Sequence, residues 1–166
     1  MHLLRPLLCL LLALISCVAE GQAIPPSDQL PDWIQDRWKA LAESRKLEIS
    51  TRINPFVWQG DFDGDGRQDL VILVKHIPTR KEGIAIFTRR LGSPRILGAG
   101  TSFGNGGDDF SWIDIWSIQE RGSVLTVRSR KPVKLDTDGI YVAKESSASA
   151  VIYLKSGKAT WQQQGD

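Results

Sequence analysis

The chain has 166 residues, with 21 Lys and Arg against 19 Asp and Glu. A net charge of +2, with no dense basic run interleaved with aromatics, leaves no footprint for a nucleic-acid partner. The only cysteines are Cys9 and Cys17, so the chain beyond them has no internal disulfide, thiolate nucleophile or zinc-thiolate site.

Residues 1–16 read as a signal peptide. Met1-His2-Leu3-Leu4-Arg5 is a short basic start, and Leu7 to Ile15 is an apolar core too short to span a bilayer. Leu14-Ile15-Ser16-Cys17 resembles a bacterial lipobox, which implies cleavage before Cys17 and its lipidation. The competing reading is ordinary cleavage after Ala19 or Ala23. Both put the mature protein outside the cytoplasm: an outer-membrane or surface lipoprotein in the first case, periplasmic or secreted in the second. Its contact with a membrane is then limited to an N-terminal lipid anchor. About 150 residues remain after cleavage, enough for one domain with a real core.

Residues 17–30 form a polar, proline-bearing leader, and residues 31–166 a single globular domain. A helix is expected from Pro31 to about Leu47. Pro31 suits its first turn, Asp32 and Asp36 its N-terminal end, and Arg45 and Lys46 its C-terminal end. Leu30, Ile34, Trp38 and Leu41 recur at helical spacing and form one apolar face to pack on a sheet.

Asp61-Phe62-Asp63-Gly64-Asp65-Gly66-Arg67-Gln68-Asp69 carries the densest chemistry. Carboxylates stand at loop positions 1, 3, 5 and 9, and glycines at 4 and 6. Alternate residues of a tight loop can point at one centre, and four acids there repel unless a cation lies between them. Hard oxygen donors on a flexible loop suit calcium, which accepts six to eight oxygens, better than magnesium with its strict octahedron. An EF-hand would carry a bidentate Glu at position 12, where this chain has Ile72. The flanks read as strands, Pro55 to Gly60 before the loop and the apolar Leu70-Val71-Ile72-Leu73-Val74 after it.

The stretch from Gly60 to Leu70 resembles the calcium loop of FG-GAP and VCBS-type repeats, familiar from integrin-like β-propellers. The resemblance implies Asp61, Asp63, Asp65, Asp69 and the backbone carbonyl of Arg67 as ligands. It covers one copy, because no second D-x-D-x-D-G string occurs, and a propeller needs several four-stranded blades. Phe103-Gly104-Asn105-Gly106-Gly107-Asp108-Asp109 has the wrong ligand spacing and reads as a flexible glycine loop ending in exposed acids.

Further strands are expected at 83–89, 111–118, 123–129, 139–144, 149–155 and 159–163, after those at 55–60 and 69–76. Gly122, Asp138-Gly139 and Ser156-Gly157 punctuate them. The connections are too short for helical crossovers. The expected fold is therefore α+β and mostly β: one N-terminal helix packed on a twisted, mainly antiparallel meander, not a full propeller. Lys75, His76, Arg80, Lys81, Arg89 and Arg90 scatter around a hairpin and read as a solvated edge.

Catalytic patterns are sparse. His76 is the only histidine after the signal segment, and no G-x-S-x-G, P-loop, dinucleotide fingerprint or H-E-x-x-H occurs. In Trp112-Ile113-Asp114-Ile115-Trp116, alternation would put Trp112, Asp114 and Trp116 on one face. Such an acid between two tryptophans could meet a sugar, a cation or a protein partner. The leading expectation is a non-enzymatic, calcium-stabilised binding or interaction module of the bacterial cell envelope, with an envelope protein or glycan as partner. The alternative is a small envelope hydrolase whose carboxylates the spacing does not identify.

Overall fold

The computed structural model describes residues 25–90, 92–126 and 132–165. The expected signal segment, Cys17 and most of the expected leader lie outside the described residues.

A short 3-10 turn, Pro26–Gln29, leads into helix α1, Asp32–Arg45. Pro31 caps it with a fixed φ of −59° and lacks the N–H that a helix start leaves unpaired. The helix ends two residues before Leu47, because Lys46 adopts a left-handed conformation with φ 52° while its N–H still reaches Ala42 O. Leu47 then begins strand β1, Leu47–Ile49.

The first sheet is antiparallel and built around β3, Asp69–His76. β1 and β2, Val57–Gly60, follow one another along one edge of β3. β4, Glu82–Phe87, pairs with the other edge and carries β5, Arg95–Gly98, beyond it. The second sheet runs in the order β11, Lys158–Gly165; β10, Ser149–Lys155; β9, Gly139–Ala143; and β6, Ile115–Gln119. A two-stranded ribbon joins β7, Gly122–Val124, to β8, Val133–Leu135.

Residue parity along β3 and β4 builds three layers. Leu70, Ile72 and Val74 of β3, with Ala85 and Phe87 of β4, meet Leu30, Ile34, Trp38 and Leu41. Each of those helix-side residues is buried, and burying one such side chain contributes about 1.5–3 kcal/mol. Val71 and Leu73, with Ile84 and Ile86, face the other way and pack against Ile140, Val142, Ala150, Ile152 and Leu154 of the second sheet. The apolar run after the acidic loop is continuous because both faces of β3 are covered. Val151, Tyr141 and Tyr153 point outward from the second sheet and receive Val124, Val133 and Leu135 of the ribbon. The fold is therefore α+β, mostly β, and antiparallel as expected, with one α-helix among the described residues on two packed open sheets.

Two strand expectations need correction. The strand expected over 111–118 begins only at Ile115, because Ser111 and Trp112 form a turn after Phe110. The one expected over 123–129 is observed as Gly122–Val124, and residues 127–131 lie outside the described set.

Candidate metal centre

Gly60 pairs with Asp69 across β2 and β3, so the eight residues between them close a turn at the mouth of a hairpin. Gly64 and Gly66 have φ of 77° and 78°, the left-handed geometry that glycine adopts without a Cβ penalty. Phe62, at loop position 2, is buried between the two sheets and pins the turn to the core.

The carboxylates fall into two groups. Asp61, Asp63 and Asp65 each offer an oxygen, and these oxygens all lie within 4.8 Å of one another. Asp61 Oδ1 accepts from Gly64 N at 2.8 Å, and Oδ2 accepts from Gly66 N at 3.2 Å. Asp63 Oδ1 accepts from Asp65 N at 3.2 Å, and Asp65 Oδ1 accepts from Arg67 N at 2.9 Å. Asp63 Oδ2 is buried with no hydrogen-bond partner among the described residues. A buried carboxylate oxygen without a donor is costly unless a cation meets it, so the residues present fit a hard divalent ion.

Asp69 is placed differently. It is fully buried, and its oxygens face backbone amides: Oδ2 accepts from Phe62 N at 3.0 Å and Asp63 N at 3.2 Å, and Oδ1 from Arg89 N at 2.9 Å. Burial raises its pKa to about 6, with the charge of Asp63 adding to the rise and the three amides opposing it. Asp69 thus ties the loop to the end of β4, and its oxygens are not among the three that converge. Arg67 is exposed and donates its amide to Asp65.

Two further residues reach the loop from far along the chain. Asp138 Oδ2 accepts from Asp61 N at 2.9 Å, and Asp138 N donates to Asp61 O at 3.0 Å. Arg121 Nη2 stands 2.9 Å from Asp61 Oδ2, while its Nε lies 3.4 Å from Asp138 Oδ1. Burial alone would raise the pKa of Asp61, but Arg121 and the amides of Gly66 and Gly64 outweigh it and the net shift is downward. Arg121 thus brings a positive charge to one of the three clustered carboxylates. No local signal marks Arg121 or Asp138, which lie 60 and 77 positions from Asp61.

The Trp112, Asp114 and Trp116 face does not form. Trp116 is buried among the sheet residues and its Nε1 donates to Pro55 O at 2.7 Å. Ile113 is buried while Ile115 is 47% exposed, the reverse of a shared isoleucine face. Asp114 pairs with Lys144 Nζ at 2.9 Å and accepts from Glu145 N. Trp112 is half-buried against the same core as Trp116, and its ring meets Phe110 and Trp161 at centroid distances of 6.2 and 6.3 Å. His76 bonds Thr79 Oγ1 at 2.8 Å on the surface.

The acids of the 103–109 loop are engaged rather than free. Asp108 pairs with Lys81. Asp109 accepts from the amides of Glu82 at 2.9 Å and Ser111 at 3.0 Å, and from the Ser111 hydroxyl at 3.0 Å. Burial opposes ionisation of Asp109, but these donors and Lys81 prevail and its pKa falls below 3.8. The stability this adds is whole above the unfolded value of 3.8 and is lost as pH falls through the lower folded value. Asp109→Asn should therefore flatten the acid limb of a profile of melting temperature against pH, and an unchanged limb would refute the role.

Comparison with family models, curated proteins and solved structures returns no match.

Proposed function

We propose that the chain is a non-enzymatic binding module of the bacterial cell envelope, held in shape by a structural calcium ion. Asp63 Oδ2 carries the metal part of the reading: it is buried, lacks a donor among the described residues, and belongs to the three-carboxylate cluster. Asp61, Asp63 and Asp65 would supply side-chain oxygens, and Asp69 would hold the loop. A structural role fits a loop that joins two core strands and is anchored by Phe62. Lipidation at Cys17 would tether the module to a membrane, and the intact mass of the exported chain tests it.

Calorimetric titration of chelator-stripped protein tests the ion. Calcium should bind more tightly than magnesium and raise the melting temperature by about 5 °C or more when the site is well saturated. Asp63→Ala should remove that dependence and leave a folded chain. Arg121→Gln should tighten calcium several-fold, since it removes a positive charge paired with Asp61. Absence of calcium binding at millimolar ion, with an unchanged melting temperature, would end the metal reading.

A further inference from the structure

The 103–109 loop and β11 border an open surface cavity of about 380 Å³ lined by Trp112, Trp161, Asn105, Gly106, Ala148 and Gln163. The volume falls within the range of small-ligand sites, about 300–1,000 Å³. We propose that this cavity binds a neutral oligosaccharide, with the indoles of Trp112 and Trp161 as walls and the amide of Asn105, held by Gln163, as the hydrogen-bonding group. The proposal rests on the reading of the chain as a binding module and supplies the chemical class of its ligand.

The lining decides the class. No charged side chain lines this cavity, whereas the cleft beside the acidic loop is lined by Asp63, Arg90, Lys134, Asp136 and Lys155. Sugars present apolar C–H faces and a rim of hydroxyls. Aromatic rings meet the faces, and carboxamides, which both donate and accept, meet the hydroxyls. The Asn105 amide gives one N–H to Gln163 Oε1 at 3.3 Å, and its oxygen accepts from no described residue. Asn105 is exposed, so a ligand can reach its oxygen and its second N–H, whereas Gln163 Oε1 already accepts from Asn105 and Trp161 and its Nε2 donates to Gly165 O at 2.6 Å.

The walls are fixed before any ligand arrives. Trp112 and Trp161 meet at 64° with centroids 6.3 Å apart, forming a trough rather than a flat plate. Their polar ends are satisfied, Trp112 Nε1 by Gly106 O at 3.2 Å and Trp161 Nε1 by Gln163 Oε1 at 3.0 Å. Phe103 and Phe110 pack against Trp161, at centroid distances of 6.1 and 6.2 Å. The glycines of the loop are needed for this close fit. A Cβ on Gly104 would lie 2.6 Å from Trp161 Cβ, and one on Gly106 would lie 2.7 Å from Phe110 Cε1. Fixed rings lose little side-chain entropy on binding, which favours a ligand that offers only weak individual contacts.

The test titrates the full chain with cellohexaose, chitohexaose, maltohexaose, xylohexaose and mannohexaose, read by tryptophan fluorescence and calorimetry. At least one should bind saturably at millimolar concentration or below. Trp112→Phe and Asn105→Ala should each weaken it several-fold, and Trp161→Ala should abolish it. Asn105 is exposed, so its variant folds even where loss of Trp161 disturbs the cluster. Binding by none of these sugars, binding unchanged in the Asn105 and Trp112 variants, or preference for an oligogalacturonate of equal length would overturn the proposal. Each titration is run with calcium and after chelation. Sugar binding with no calcium binding would leave this proposal standing and remove the metal reading, and the opposite pair of results would remove this proposal alone.

Discussion

Asp69→Ala is expected to cost about 3 kcal/mol or more of folding stability, because it leaves three amides without an acceptor and each orphaned buried donor costs about 1–3 kcal/mol. The amides are those of Phe62, Asp63 and Arg89; the bond from Phe62 is buried and the other two are part-buried, while Asp69 itself is fully buried. Domain stabilities of about 5–15 kcal/mol make this a large fraction of the total. Asp69→Asn should recover only part of it, since one oxygen remains to accept but the amide nitrogen then faces another donor. Urea denaturation of the three proteins in chelator checks both statements. The comparison with Asp63→Ala separates two roles in one motif. Loss of Asp63 should matter chiefly when calcium is present, while loss of Asp69 should matter even in chelator. A metal-free Asp69→Ala chain as stable as the parent would show that the amides need no acceptor.

The acidic loop was legible because its parts are adjacent in sequence. Asp61, Asp63 and Asp65 converge as the alternating spacing implies, and Gly66 turns as position 6 requires. Asp69 matched the same pattern yet points its oxygens at backbone, since it opens a strand buried on both faces and its side chain is enclosed with it. Arg121 and Asp138 were not legible, because only the packing of the second sheet and its ribbon against the first brings them to Asp61.

Strand legibility followed length and burial. β3 and β10 match their expected bounds, and both are long and rich in β-branched residues. β1, β5 and β8 are three or four residues long, too short to show a period, and none was expected. The Trp112–Trp116 reading failed for a related reason. Alternation holds only within a strand, and here the strand starts at Ile115, so Ile113 is buried from the preceding turn while Ile115 points to solvent. The tryptophan that joins Trp112 is Trp161, 49 positions later on β11, and no spacing rule connects them. The glycine loop at 103–109 reads as flexible by composition, yet its glycines serve close packing against Trp161 and Phe110.

Gly83→Ala should be among the most damaging single substitutions in the first sheet. Gly83 of β4 pairs with Gly98 of β5, where the chain leaves the strand and turns back through a bridge to Thr101. A Cβ at Gly83 would lie 2.4 Å from Leu97 O, 2.5 Å from Ala99 N and 2.8 Å from Gly98 C. These are backbone atoms, so no side chain can rotate away, and relief requires parting the two strands. That movement would disturb Glu82 O, which accepts from Ala99 N at 2.7 Å and from Phe110 N at 2.8 Å. Phe110 in turn supports Trp112 and Trp161, so the strain reaches the aromatic cavity. Overpacking a tight core costs about 1–3 kcal/mol, and rigid backbone neighbours place this case at the upper end or beyond. The smaller entropy of unfolded alanine offsets less than about 1 kcal/mol of that. A net loss of about 2 kcal/mol or more is expected in urea denaturation, together with a shift in tryptophan emission of the folded protein. Gly92→Ala provides the control, because a Cβ there meets nothing within 4 Å and should leave both readings unchanged. Equal stability of the Gly83 and Gly92 variants would mean that β4 and β5 separate without cost, and the tight junction at Gly83 would then have no structural weight.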